Sequence, residues 1–322
     1  MRRTLLILFA VALLFTACSQ AGRAPKEETL VVIHAGSLSV PFAELEAGFE
    51  KANPGVDVLR ESAGSRKCAR MISELGKEVD VFGSADYSVI ENLLFDEFAT
   101  WNISFVTNEM AIMYSDKSLY HDEINGENWI DILLRPDVSV GRSNPNADPC
   151  GYRALLTWQL AERHTNRPGL YEKLVNKKKT FIRDKETDLI ALVEAGELDY
   201  LFIYRSVAQQ HNAPHVILDD AINLKSPEFA DFYSLAKVDI SGKNPGEKIT
   251  QTGAPMIYGI TIPKNAPHPK LAEKFLLYLF SEEGVSIMEK NGQPFIRPPY
   301  ITGNSDDVPK AIKKAFSKIA AE

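Results

Sequence analysis

Leu30-Val31-Val32-Ile33-His34-Ala35-Gly36-Ser37-Leu38 is a short apolar run that stops at a glycine-serine turn, and a helical pattern with Phe42, Leu45 and Phe49 on one face comes after it. This is strand, tight turn, helix. The unit then recurs. Asn53-Pro54-Gly55 ends the first helix, Val56 to Arg60 reads as a second strand, and Ala63-Gly64-Ser65 opens a helix with Cys68, Met71, Ile72 and Leu75 at helical spacing. Val79 to Phe82 gives a third strand, succeeded by Gly83-Ser84-Ala85-Asp86 and a helix carrying Val89, Ile90, Leu93 and Leu94. Strands alternating with helices specify an α/β fold with a largely parallel, doubly wound sheet.

Beyond this unit, Ile103 to Tyr114 reads as one longer apolar strand leading into a second region. That region holds a helix from about Arg153 to Ala161, a helix through Leu189 to Val193 stopped by Gly196, and a strand from Asp199 to Tyr204, with Ser206 able to cap the next element. Met256 to Ile262 is a further apolar strand, and two helical patterns, Leu271 to Phe280 and Glu283 to Lys290, come after it. A chain that leaves its first α/β unit near residue 108 and returns near 257 builds two lobes joined by two crossing strands. The expected division is 29–108 with 258–322 for one lobe and 109–257 for the other. Ligands of open α/β sheets bind at the carboxyl ends of strands, and clefts between lobes are favoured sites.

The amino end carries a different message. Arg2 and Arg3 precede an apolar run from Leu5 to Phe15, too short for a spanning helix of about 20 residues, and Thr16-Ala17-Cys18 comes next. This reads as a secretory signal over residues 1–17. Cysteine directly after Thr16-Ala17 resembles a bacterial lipobox, so Cys18 is the expected lipidation site, with 18–28 as a polar tether. The chain is then extracytoplasmic and anchored to a membrane through lipid. The formal net charge of −7 argues against nucleic acid as a partner, since that binding rests on neutralising phosphates with Lys and Arg. Cys68 and Cys150 fall on separate helical patterns and are expected as buried free thiols. Six scattered histidines and no C-x-x-C support neither a zinc site nor a redox motif.

Ser143 to Arg153 holds two X-Pro steps, Asn144-Pro145 and Asp148-Pro149. They exclude a continuous helix and leave Asp148 placed to cap the helix that Pro149 starts. A helix cap and a ligand-facing carboxylate are both open for Asp148. Ser37 and Ser65 each follow a glycine at a strand end, where a helix begins. Two such N-termini facing one cleft make an anion site without Lys or Arg, and two ordinary caps are the alternative.

The pieces resemble the archaeal-type tungstate/molybdate-binding proteins of ABC importers. They are His34-Ala35-Gly36-Ser37-Leu38, Ala63-Gly64-Ser65, Ser84-Ala85-Asp86-Tyr87, Asn144-Pro145-Asn146, Asp148-Pro149-Cys150-Gly151-Tyr152-Arg153, Glu194 to Tyr200, Phe202-Ile203-Tyr204 and Tyr258 to Asn265. They run collinearly from about residue 29 to about 300. The resemblance implies a two-lobed periplasmic-binding-protein fold of type II, each lobe a mixed, mostly parallel sheet flanked by helices. It also implies a monomeric receptor with no cofactor and no catalysis, delivering tungstate or molybdate to a membrane permease. It implies Ser37, Ser65 and Tyr204 as donors to the oxoanion, and Asp148 and Glu186 as carboxylates bound to its tungsten or molybdenum. Glu186 is reached by counting from Ile182-Arg183, and a shift of register would bring Asp184 or Asp188 instead.

Two carboxylates beside a dianion repel it unless they bind its centre. Hexavalent tungsten or molybdenum can expand from four to six oxygen ligands, and hard donors suit a hard centre. Sulfate and phosphate would face uncompensated like charge. The neighbouring readings are the same fold carrying sulfate, phosphate or ferric ion, and a secreted hydrolase. Ferric-ion receptors of this type use adjacent tyrosines, and no Tyr-Tyr pair occurs; no G-x-S-x-G occurs either. Arg153 beside the cleft loop can clamp an anion or pair with an acid.

Overall fold

The computed structural model describes residues 28–319, so the signal segment and Cys18 lie outside the described residues. The opening apolar run forms β1 (Glu28–Ala35), and β2 (Val56–Ala63) and β3 (Val81–Ser84) lie parallel on its two sides. Leu30, Val32 and Ile33 are all fully buried, as a strand covered by helices on both faces requires. The covering helices are Ser39–Ala52, Ser65–Ser73 and Tyr87–Leu94. Phe42, Leu45 and Phe49 all point into the core. Leu75 does not: the second helix ends at Ser73, and Leu75 stands 77% exposed beyond it.

The apolar run expected as one strand from Ile103 to Tyr114 is two strands in two sheets, β4 (Trp101–Thr107) and β5 (Met110–Met113). Asn108 and Glu109 interrupt it. Their polar side chains fix the crossing, since Asn108 Oδ1 accepts the Glu109 N–H and the Glu109 carboxylate meets Arg205 and Asn223. After the crossing come β6 (Val140–Ser143), β7 (Thr180–Arg183), β8 (Tyr200–Tyr204) and β9 (His215–Ile217). They form a five-stranded sheet in the order β7-β6-β8-β5-β9. A hairpin of β10 (Lys237–Ser241) and β11 (Lys248–Thr252) precedes the return.

The return is β12 (Ile257–Thr261), and β13 (Phe295–Gly303) closes the edge of the first sheet, whose order is β13-β4-β12-β3-β1-β2. β12 lies antiparallel between β3 and β4, and β13 is antiparallel to β4. Each sheet is therefore mixed, with a parallel set carrying the helical crossovers and reversed strands where the chain passes from sheet to sheet. Residues 108–109 and 253–256 are the two short passages between them.

The strand ends of the two sheets face one another. Lys67 N–H donates to Ala147 O at 3.0 Å, and the buried Arg66 reaches Asn146 O and Ser241 O across the divide. Gly64 is what permits this approach. A Cβ there would stand 2.4 Å from Ala147 O and 2.6 Å from Asp184 O, so the glycine serves contact with backbone of the opposite side.

Candidate functional site

Asp148 is a helix cap and more. It precedes the helix Pro149–His164, and its Oδ1 accepts the Cys150 N–H at 3.1 Å. Its Oδ2 accepts a second main-chain donor, the N–H of Glu186, at 3.1 Å. Asn144-Pro145 makes this possible, because Ala147 and Asp148 N–H groups both fold back onto Asn144 O and hold the loop closed. Glu186 starts the one-turn helix Glu186–Leu189 after β7, so the end of one parallel strand delivers each acid. Both acids are 1% exposed. Asp184 and Asp188 are not brought in: their side chains are about half exposed and lie near Lys67 and Lys185.

The carboxylate of Glu186 is unusual. Both of its oxygens are buried, and among the described residues no N–H or hydroxyl donor is placed on either; the polar group beside them is the carboxyl of Asp148. They lie where a Cβ on Gly36 would stand, 2.8 Å and 2.9 Å away. Burial first, and then the charge of Asp148, push the Glu186 carboxyl well above the usual carboxylate range. Burial also raises Asp148, while the side chains of Glu186 and Ser143 and the Cys150 and Glu186 N–H groups favour its charged form. Ser143 Oγ, at the end of β6, is a further buried polar atom beside Asp148.

The three hydroxyls expected at the cleft are all fully buried. Neither serine caps a helix. Ser37 lies in the turn Gly36–Leu38, with no side-chain cap bond; its Oγ is 2.9 Å from Tyr258 Oη, and Gln293 Nε2 holds its carbonyl at 3.0 Å. Ser65 is the first residue of its helix, and its Oγ accepts the Ala85 N–H at 2.9 Å. Tyr204 ends β8, and its Oη accepts from Arg153 Nη1 at 3.0 Å. Ser206, expected as a cap, is the second residue of the helix Arg205–Gln210, and its Oγ accepts from Asn108 Nδ2 at 2.8 Å.

Arg153 makes an ion pair and does not stand free for an anion. It donates to Asp86 Oδ2 at 2.9 Å and to Ala85 O at 2.6 Å, and Tyr152 Oη donates to the same Asp86 oxygen at 2.6 Å. Burial alone would lower the guanidinium, but Tyr204 and Asp86 beside it keep it charged. Asp86 comes from the turn after β3 and Arg153 from the opposite side, so the pair spans the cleft. Tyr258 and Asn108 were not singled out from sequence as site residues. Tyr258 Oη accepts from Asn108 Nδ2 at 2.9 Å, and its ring packs edge-on against Tyr204 with centroids 6.0 Å apart. A tyrosine at the start of the returning strand was the available signal.

Cys68 and Cys150 are buried free thiols; burial pushes Cys68 up to about 12. No helix among the described residues is long and apolar enough to cross a membrane.

Residues 30–293 match the family model for the bacterial extracellular solute-binding protein. A solute-binding protein of Petrotoga mobilis is 57% identical over 271 residues, 84% of each chain. The molybdate/tungstate-binding protein WtpA of Pyrococcus abyssi is 41% identical over 335 residues, 94% of this chain and 95% of the relative. Among solved structures, the periplasmic molybdate-binding protein of Azotobacter vinelandii superposes with a TM-score of 0.62 at 18% identity, covering 84% of this chain and 99% of that one. The chain belongs to the extracellular solute-binding family and has the type II periplasmic-binding-protein fold.

Proposed function

We propose that this member of the solute-binding family captures tungstate or molybdate outside the cytoplasm and hands it to an ABC permease. The moving bodies in this reading are residues 29–108 with 258–322, and residues 109–257. Cys18 carries the lipid that keeps the monomer at the membrane. The oxoanion is cargo; no cofactor and no turnover belong to the reading.

One observation carries it. The two Glu186 oxygens are buried with no N–H or hydroxyl donor on them, against a second buried carboxyl. A pair of carboxylates left so is costly in a site that only has to close. It becomes useful when an electrophilic centre with room in its coordination shell enters between them. Ser37, Ser65 and Tyr204 then hold the oxo groups while Asp148 and Glu186 meet the metal, which raises its coordination from four oxygens to six. Sulfur and phosphorus offer no such positions, so sulfate and phosphate leave the acids uncompensated.

Calorimetric titration of the mature protein with tungstate, molybdate, sulfate and phosphate tests the cargo. Tight binding of the first two, with weak binding of the others, is expected. X-ray absorption at the tungsten edge tests the coordination: a four-oxygen shell in the complex defeats the role given to Asp148 and Glu186.

A further inference from the structure

Each of the three cleft hydroxyls has a hydrogen-bond partner behind it. For Ser65 the donor is a backbone N–H, that of Ala85, and for Tyr204 it is a guanidinium; neither can accept. Both hydroxyls therefore keep their own proton for the cleft. For Ser37 the neighbour is Tyr258 Oη, which could donate or accept. Asn108 decides between them.

The Asn108 amide has one possible orientation. Its Oδ1 receives the N–H of Glu109 at 2.9 Å and faces the N–H of Ser206 at 3.4 Å, so the other terminus is the NH2. Its two protons go to Ser206 Oγ at 2.8 Å and Tyr258 Oη at 2.9 Å. Tyr258 Oη thus already takes one incoming proton, and Ser37 Oγ is the acceptor its own proton has in reach. In that order Ser37 points its O–H away from Tyr258.

We propose that Asn108 and Tyr258 are positioning residues that fix the proton order Asn108→Tyr258→Ser37, so that Ser37 presents a hydrogen-bond donor, never a lone pair, to the oxoanion. The relay rests on the reading of this cleft as the oxoanion site. Asn108 lies in the first passage between the sheets, and Tyr258 just after the second. The relay therefore ties the donor direction at Ser37 to the geometry of both passages, and the cleft offers a fully deprotonated oxoanion three aimed O–H groups.

A double-mutant cycle tests the relay. The unaltered protein is first titrated with tungstate, molybdate and sulfate, which judges the cargo separately, and the cycle is run on the tightest-bound anion. Ser37→Ala is expected to weaken binding about tenfold, and Tyr258→Phe by a similar or smaller factor. In the Ser37→Ala background Tyr258→Phe should change affinity less than about twofold, because its effect passes through Ser37. Equal cost in both backgrounds means that Tyr258 acts by packing and overturns the relay. Asn108→Asp supplies a second reading. An aspartate accepts from Tyr258 and reverses the order, so its cost should be about tenfold larger with Tyr258 present than in the Tyr258→Phe protein. Identical cost in the two overturns the relay, and binding of none of the three anions overturns both the relay and the cargo reading.

Discussion

The main-chain N–H of Glu186 donates to Asp148 Oδ2 at 3.1 Å, while the side chain of Glu186 brings a second carboxylate to the same buried place. One residue thus both supports and repels the other. Both acids are shifted upward, so the folded state without cargo holds protons that the unfolded chain, with ordinary carboxylates near 4, releases. Stability from this pair is greatest at low pH and falls as pH rises from the unfolded value through the raised folded ones. Glu186→Gln should raise the melting temperature of the cargo-free protein more at pH 8 than at pH 5. It should weaken tungstate binding on the order of a hundredfold, about 2.7 kcal/mol. Thermal unfolding at the two pH values and calorimetry check both; a uniform rise in melting temperature contradicts the like-charge account.

Gly64 meets backbone, which cannot rotate away. Gly64→Ala places a methyl against Ala147 O and Asp184 O and should hold the two sides apart. Small-angle scattering with saturating tungstate is expected to show no compaction, and affinity should drop by at least about tenfold. On the proposed two-lobe reading the contact belongs to closure, so unfolding midpoints without cargo should move little.

Asp86 balances the buried Arg153. Breaking a buried pair by removing one partner costs about 3–5 kcal/mol. On the proposed two-lobe reading that cost falls on closure in Asp86→Ala, because opening would return Arg153 to water. Tungstate affinity should fall more than a hundredfold, about 2.7 kcal/mol, while the cargo-free protein loses less stability than that. Calorimetry beside urea unfolding separates the two; a larger loss in unfolding than in binding would place the pair in the core of the fold.

His34 is held neutral. Its Nδ1 donates to Ala35 O at 2.8 Å, Arg60 faces Nε2 at 3.4 Å, and burial lowers the ring to about 4. The unfolded chain takes up a proton as pH falls below 6.5, and the folded chain does so only near 4. This contribution is therefore complete above 6.5 and is lost on descending to about 4, the full loss amounting to roughly 3 kcal/mol. His34→Gln should flatten that part of the profile, read by urea unfolding at pH 7 and pH 4.5.

The local pieces of this fold are legible because they are local. The turn at Gly36-Ser37, the helix ends at Gly55 and Gly196, and the Asp148-Pro149 start each follow from a few adjacent residues. Glu186 came through resemblance, and its burial beside Asp148 distinguishes it from Asp184 and Asp188. What sequence spacing hid is non-local. Apolar residues stand on both sides of the short polar step Thr107-Asn108-Glu109, and nothing local shows that this step changes sheets: the partners that fix it, Ser206, Asn223 and Tyr258, lie about 100 residues or more away. Arg153 could clamp an anion or pair with an acid until Asp86, 67 residues distant, settled it. Ser65 looked like a cap; its hydroxyl instead takes the N–H of Ala85 from the next turn.

In the proposed two-lobe reading, closure that brings Gly64 onto Ala147 O and Asp184 O ends on main-chain atoms. It therefore has a hard stop, set by the covalent dimensions of the peptide and not by the rotamers of a rim. Such a cleft works as a gauge of fixed opening. Surface substitutions around the mouth leave its bore unchanged, and two anions of the same diameter pass or fail together. Discrimination between them must come from the chemistry of the central atom.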